Sequence, residues 1–319
     1  MTRKTLGKTV ASIAIGAMAL TGAALAETFD ANKISFRDIT GSVEIVTTSG
    51  DELDITISQG KKFRQIQLTE EDGVIVVQGE RWKDDGARNC CDNRIRREYH
   101  PRKDRKLKTG EPVNESFFEQ YPTIIVSMPL KGDVDFVDAR IRLDMERLNG
   151  ALSLDACYVY GETGDVDEAV IGVIDGSRLV MGNVKSGLEI DVSGNADVRA
   201  GDAAIVDVDI AGPGDVILGD IDGMLDISIA GSGLVRATRM DGPMVVRIAG
   251  SGGVAVKEGK ADRLRVSIDG SGGVFFGGAV NQPDLRLYGS SEVRMDSVNG
   301  RIIRSGGGDV YVGGQRIQK

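Results

Sequence analysis

The side chains able to do chemistry in this chain are few and dispersed. His100 is the single histidine. It precedes Pro101, in a stretch with neither helical nor strand periodicity. Any Ser-His-Asp or Cys-His arrangement would have to use it. Cys90 and Cys91 are adjacent, which is not a zinc-ligand spacing, and Cys157 stands far from both. Three cysteines leave at least one thiol unpaired within a monomer. A bridge from Cys157 to Cys90 or Cys91 would pin that stretch to the strand containing Cys157. A buried thiol is the commoner fate of such a residue. Paired carboxylates are the remaining catalytic raw material. Asp207 and Asp209 point outward on one strand, with Glu189 and Asp191 below and Asp226 above. Polysaccharide-cleaving β-helices use outward acids in this way, but the strip has no aromatic or basic residue to grip a sugar. It reads as a solvated acidic face. The string Ser305-Gly306-Gly307-Gly308-Asp309-Val310-Tyr311-Val312 resembles a calcium-binding nonapeptide, yet most other copies lack the aspartate. The Gly-Ser-Gly strings precede strands rather than helices, so they do not cradle phosphate. The expectation is a protein without catalytic residues, cofactor or metal, with a polysaccharide-active enzyme as the alternative.

The elements that would carry these residues repeat. Turn glycines at 194, 212, 231, 250, 270, 289 and 306 recur about every 19 residues, and a weaker copy precedes them at Gly176. Four residues before each anchor stand Ile190, Val208, Ile227, Val246, Val266, Leu285 and Ile302. Four after stand Val198, Val216, Val235, Val254, Val274, Val293 and Val310. Apolar residues alternate with polar ones around these columns, as in strands with one buried face. One such unit cannot bury its apolar face alone, whereas stacked copies do so. A hairpin sandwich would not keep the same columns over so many copies. The predicted class is all-β: a parallel β-helix or solenoid with coils of about 19 residues over 132–312, followed by a tail at 313–319. Residues 27–131 form an N-terminal β region that caps it.

Composition narrows the setting. Arg3, Lys4 and Lys8 precede an apolar run that ends at Ala24-Leu25-Ala26, so 1–26 reads as a cleavable signal peptide. Its removal leaves 36 basic against 48 acidic residues, a net charge of −12 over 293 residues. Such a chain is a poor partner for nucleic acid. No second long apolar run follows, so no membrane span is expected after cleavage. The expected location is the periplasm, the extracellular space or the cell surface. Within the N-terminal region a basic insertion spans 81–117. Residues 81–108 alone carry 11 Lys or Arg against five acids. Arg94, Arg96, Arg97, Arg102, Lys103, Arg105 and Lys106 are candidates for a contact arm toward an anionic surface.

The strings at 229–235, 248–254 and 268–274 share the form I-x-G-S-G-x-V. They resemble the putative auto-transporter adhesin, head GIN domain family. Thr40-Gly41-Ser42-Val43-Glu44-Ile45 and Ile124-Ile125-Val126-Ser127-Met128-Pro129-Leu130 are similar to strands of the related putative adhesin family. The resemblance implies an exported protein with a β-helix-like fold, and it transfers no catalytic residue. The expected function is a non-enzymatic binding or scaffold module at the cell envelope, adhesin-like, its partner an envelope glycan or protein. Outward positions run from acidic (Glu189, Asp191, Asp207, Asp209, Asp226) to largely basic (Arg247, Arg265, Arg286, Arg301). Seven residues after Val312 offer no amphipathic cap, which leaves a strand edge near Ile302 and Arg304 for a partner edge, another copy included. Arg304 then reads as a blocking charge in an apolar column.

Overall fold

The structure is a computed structural model that describes residues 25–61, 66–80 and 115–318. Among these residues, 24 strands belong to one continuous sheet that coils on itself, and a single-turn helix, Glu115–Phe118, is the exception. In each late coil one strand crosses the first face, turns at a glycine, crosses the second face and returns. Strand Leu225–Gly231 lies in parallel register with Ala203–Gly212 before it and with residues 244–250 after it. The anchors Gly212, Gly231, Gly250, Gly270 and Gly289 stack directly on one another. The expected inward column is the core: Ile190, Val208, Ile227, Val246 and Val266 expose no surface. Two further columns escape a reading centred on the glycines. Leu188, Val206, Leu225, Met244 and Leu264 begin the first face, and Ile221, Met240 and Val280 fill the return segment. Strand Leu234–Gly250 carries one coil into the next without interruption, bending at Gly242, whose φ is 148°.

Each Gly-Ser-Gly string is a corner, and each position has its own reason. The first glycine has a positive φ, between 126° and 137° at Gly212, Gly231, Gly250 and Gly270, which L side chains rarely adopt. The serine N–H donates to the anchor carbonyl of the coil below: Ser251 N to Gly231 O at 2.9 Å, and Ser271 N to Gly250 O at 2.9 Å. The third position faces the core where two coils converge. A Cβ on Gly233 would stand 2.7 Å from both Gly214 O and Ile210 Cγ2. Only small residues occupy this column: Ser177, Ala196, Gly214, Gly233, Gly252, Gly272 and Ser291.

A second ladder ties the opposite corner. Gly164-Asp165, Gly182-Asn183, Gly201-Asp202 and Gly219-Asp220 succeed one another in consecutive coils. Each Asx side chain accepts the backbone N–H of the Asx above: Asn183 N to Asp165 Oδ1 at 2.7 Å, Asp202 N to Asn183 Oδ1 at 2.8 Å, Asp220 N to Asp202 Oδ1 at 2.8 Å. The preceding glycines make room for that oxygen. A Cβ on Gly182 would lie 2.5 Å from Asp165 Oδ1.

Stacking in space departs from chain order at the N-terminal end. Strand Lys33–Arg37 pairs in parallel with 133–137 and Thr40–Thr48 with 140–145, so this segment is itself a coil beneath Asp133–Met145. Phe36 stacks on Phe136 inside, with ring centroids 4.6 Å apart. Beneath it again, Val74–Gln78 pairs in parallel with Lys33–Arg37, and Thr123–Pro129 with Thr40–Thr48. The parallel stack thus takes in segments on both sides of the basic insertion. Antiparallel strands close this end: Gln67–Glu71 on one face, and Leu53–Ser58 followed by Leu25–Phe29 on the other.

Register corrects the sequence alignment at both ends of the repeat. Val173 pairs with Val192, which places Asp175, not Gly176, beneath Gly194. Leu285 pairs with Arg304 rather than with Ile302, whereas Val293 pairs with Val310 as expected. The last coil is shorter at its corner, so a count from the glycine misplaces its first strand.

The corner geometry gives a testable contrast. A Cβ on Gly250 would collide with the Gly231 carbonyl at a φ of 130°, whereas nothing lies within 4 Å of one on Gly307. Gly250→Ala should lose about 2–4 kcal/mol of stability. Gly307→Ala should stay within about 0.5 kcal/mol of the parent. Urea unfolding followed by circular dichroism measures both, and equal midpoints for the two variants would contradict the stacked corner.

Candidate functional site

Outward side chains of the stacked coils form fixed rows on the first face, because parallel pairing sets each residue beside its counterpart one coil away. Glu189, Asp207 and Asp226 are consecutive in one row, and Asp191, Asp209 and Ser228 in the next. Partial burial and the neighbouring Asp226, Asp209 and Glu189 charges push the Asp207 carboxyl above the usual range, while Arg247 pulls it down. Asp226 is held by Arg247 Nη1 at 2.6 Å. The acidic strip is therefore repulsive at one end and neutralised at the other.

The late coils have a different surface. Arg265 reaches toward Asp284 at 3.7 Å. A groove of about 560 Å³ opens beside them, between Arg263, Arg265, Asp284 and Arg301. On the second face the register places Phe275, Arg294 and Tyr311 in one row, and the Arg294 guanidinium lies 4.9 Å from the Tyr311 ring centre. Aromatic and basic residues missing from the acidic strip thus cluster at the C-terminal end. The groove's walls come from three coils, so no stretch of sequence around one turn glycine contains it.

The predicted contact and edge residues fare unequally. Arg94, Arg96, Arg97, Arg102, Lys103, Arg105 and Lys106 lie outside the described residues, as do His100, Cys90 and Cys91 and most of the signal segment. Ile302 is half-buried against the core. Arg304 is not a charge presented at the edge. It turns under the tail and donates to the carbonyls of Ile317, at 3.1 Å, and Gly308. The short tail does form a cap on the second face. It reverses at Gly313 and Gly314, both with positive φ, and Gln315–Arg316 pairs antiparallel to Asp309–Val312. Ile317 then packs against the core, its N–H donating to Val310 O at 2.8 Å. On the first face, strand Ile303–Gly306 pairs with Pro283–Gly289 and with no further strand among the described residues, and Ile303 is 60% exposed.

Cys157 is disulfide-bonded. It sits where register slips between Ala156 and Tyr158, with its Sγ 3.5 Å from Ala139 O. The Phe118 ring of the single-turn helix leans on Tyr158, centroids 6.1 Å apart, so the chain leaving the basic insertion docks beside this cysteine.

The parallel in-register coils define the class, a β-solenoid. Residues 220–315 match the model of the family described as putative auto-transporter adhesin, head GIN domain. That match covers the Gly-Ser-Gly coils and the groove. Similar solved structures include a putative adhesin from Parabacteroides distasonis, 13% identical over 91% of this chain and 97% of that one, with a TM-score of 0.37. A second, named a putative lipid binding protein from the same organism, is 13% identical over 91% and 96%, with a TM-score of 0.39. A putative adhesin from Parabacteroides merdae is 12% identical over 91% and 95%, with a TM-score of 0.36. No curated protein matches the chain.

Two measurements probe these sites. Peptide mapping without reductant should find Cys157 joined to a peptide carrying Cys90 and Cys91, whereas complete alkylation of Cys157 would rule the bridge out. The raised Asp207 pKa means that the folded state holds this proton more tightly than the unfolded chain does. The associated stability is present at low pH and is lost as pH rises through the carboxylate range. Asp207→Asn should therefore add less than about 1 kcal/mol of stability at pH 7 given solvent screening, read as a higher thermal midpoint, and leave the midpoint unchanged near pH 3. An equal gain at both pH values would show that carboxylate repulsion is not the cause.

Proposed function

We propose that this chain is an exported, non-enzymatic binding module in which a rigid solenoid presents fixed rows of side chains to a component of the cell envelope. The observation that carries this reading is the in-register surface itself: charge changes from acidic to basic along stacked coils whose backbones cannot rearrange independently. The match over residues 220–315 to an adhesin head family supports it. Among the described residues no helix is long and apolar enough to cross a membrane, which suits a surface or periplasmic module. The experiment pairs retention of the purified protein on envelope fragments with a reducing-end assay on envelope polysaccharides. Saturable retention without new reducing ends is expected. Depolymerisation that disappears in Asp207→Asn or Asp209→Asn would replace this reading with a polysaccharide-active enzyme. Export by a peptide cleaved between Ala26 and Glu27 is part of the proposal, and N-terminal sequencing of the cell-fractionated protein checks it.

A second copy is the protein partner that the fold itself offers. The outer edge of strand Ile303–Gly306 carries the exposed Ile303 and no strand partner among the described residues. Sedimentation at micromolar concentrations should show association that Ile303→Lys abolishes. A monomer at every concentration and salt would exclude pairing through this edge.

A further inference from the structure

The groove at the C-terminal end has a composition that points to a ligand class. Its shape follows from register. Arg263 and Arg265 stand on one coil, Gln282 and Asp284 on the next, and Arg301 and Ile303 on the last. A row of shorter side chains between two rows of long ones leaves a trough across the coils, floored by Pro283. The outer rows stand about 10 Å apart, twice the spacing of paired strands. That span suits a ring with its substituents rather than one small ion.

The charge balance is the reverse of the molecule's. The full chain carries −9, yet three guanidinium groups line this groove against the Asp284 carboxylate. Asp284 engages Arg265 at 3.7 Å. Among the described residues neither Arg263 nor Arg301 is ion-paired. Guanidinium groups on either side of the trough, two coils apart, can each make bidentate contact with a carboxylate or an ester oxyanion. Amides share the wall. Asn299 Nδ2 donates to Asn281 Oδ1 at 3.2 Å, and Asn281 Nδ2 to an Asp262 carboxylate oxygen at 3.0 Å. This chain fixes which way the amides face. Pro283 and Ile303 add aliphatic surface.

We infer that this groove binds an acidic saccharide, with Arg263 and Arg301 gripping its anionic substituent and the amides and Asp284 meeting its hydroxyls. The inference deepens the binding-module reading and rests on it. A bilayer is disfavoured as the occupant, because Ile303 is the only exposed large apolar residue at the groove. A free oxyanion would leave the amides and the aliphatic floor without use.

The test is calorimetric titration of the whole mature protein with a galacturonic acid tetrasaccharide and its sulfated counterpart. Galactose tetrasaccharide, inorganic phosphate and vesicles containing an anionic phospholipid are the comparators. Either acidic tetrasaccharide should bind saturably, and more weakly as salt rises. The double variant Arg263→Ala/Arg301→Ala should weaken binding by about tenfold or more with an unchanged unfolding midpoint. Lysine at both positions should restore part of the loss. Equal binding of the neutral tetrasaccharide, an unaffected alanine variant, or binding of phosphate or vesicles alone would each overturn the proposal. If acidic saccharides fail while envelope retention persists, the groove assignment falls and the binding module stands. If both fail, both fall.

Discussion

Two coils of this protein can approach to the spacing of hydrogen-bonded strands only where nothing projects along the stacking axis, and the corners are where that condition is hardest to meet. There the backbone turns its carbonyls and Cα–H groups toward the coil above. A Cβ on Gly231, Gly250 or Gly270 would meet the carbonyl group of the glycine below. The constraint propagates outward. Fixed corners hold the strands in register, register stacks Val on Ile and Ile on Val, and those columns close the core without large aromatic residues. Phe36, Phe136 and Phe276 are the few fully buried rings among the described residues. The Asx ladder at the other corner serves the same end by a different route. There a side chain enters the inter-coil space and is used to accept the next backbone N–H.

A stack of equivalent coils ends in open edges, and the two ends manage this differently. At the N-terminal end antiparallel strands are laid over both faces, and the chain visits the coils out of spatial order to place them. At the C-terminal end a reversal of a few residues covers one face. Arg304 lies where earlier coils place Leu285 and Val266. It occupies an inward position with no coil above it among the described residues, and its guanidinium ties Gly308 and Ile317 carbonyls together. An arginine in an apolar column is tolerable there because the terminal coil supplies backbone acceptors that interior coils have already used.

Rigid stacking also determines the electrostatics. Outward residues one coil apart cannot avoid each other, so Asp207 is raised by its row neighbours, whereas Arg247 on Asp226 and Arg236 on Asp215 pair across coils. Such pairs at exposed sites each contribute little to stability. Their larger effect is to leave distinct surfaces along the column, acidic in its middle coils and more basic toward its C-terminal end. A flexible protein would relax these fields, whereas a solenoid keeps them where its sequence put them.

Much of this was legible in the sequence. The recurrence of glycine about every 19 residues and the β-branched columns around it specify a parallel stack, since side-chain periodicity and coil length are local properties repeated many times. The acidic-to-basic order of the outward positions was equally readable, because alternation along a strand assigns each residue a face. Tertiary structure alone decided the rest. The coil made by Lys33–Arg37 and Thr40–Thr48 lies next to residues about one hundred positions away, and no local pattern announces such a pairing. The shift that puts Arg304 beside Leu285 arises in a shortened corner, where counting residues no longer measures space. The groove between Arg263 and Arg301 exists because three coils present side chains of unequal length side by side. A sequence states those lengths, and only the register of the folded sheet sets them next to one another.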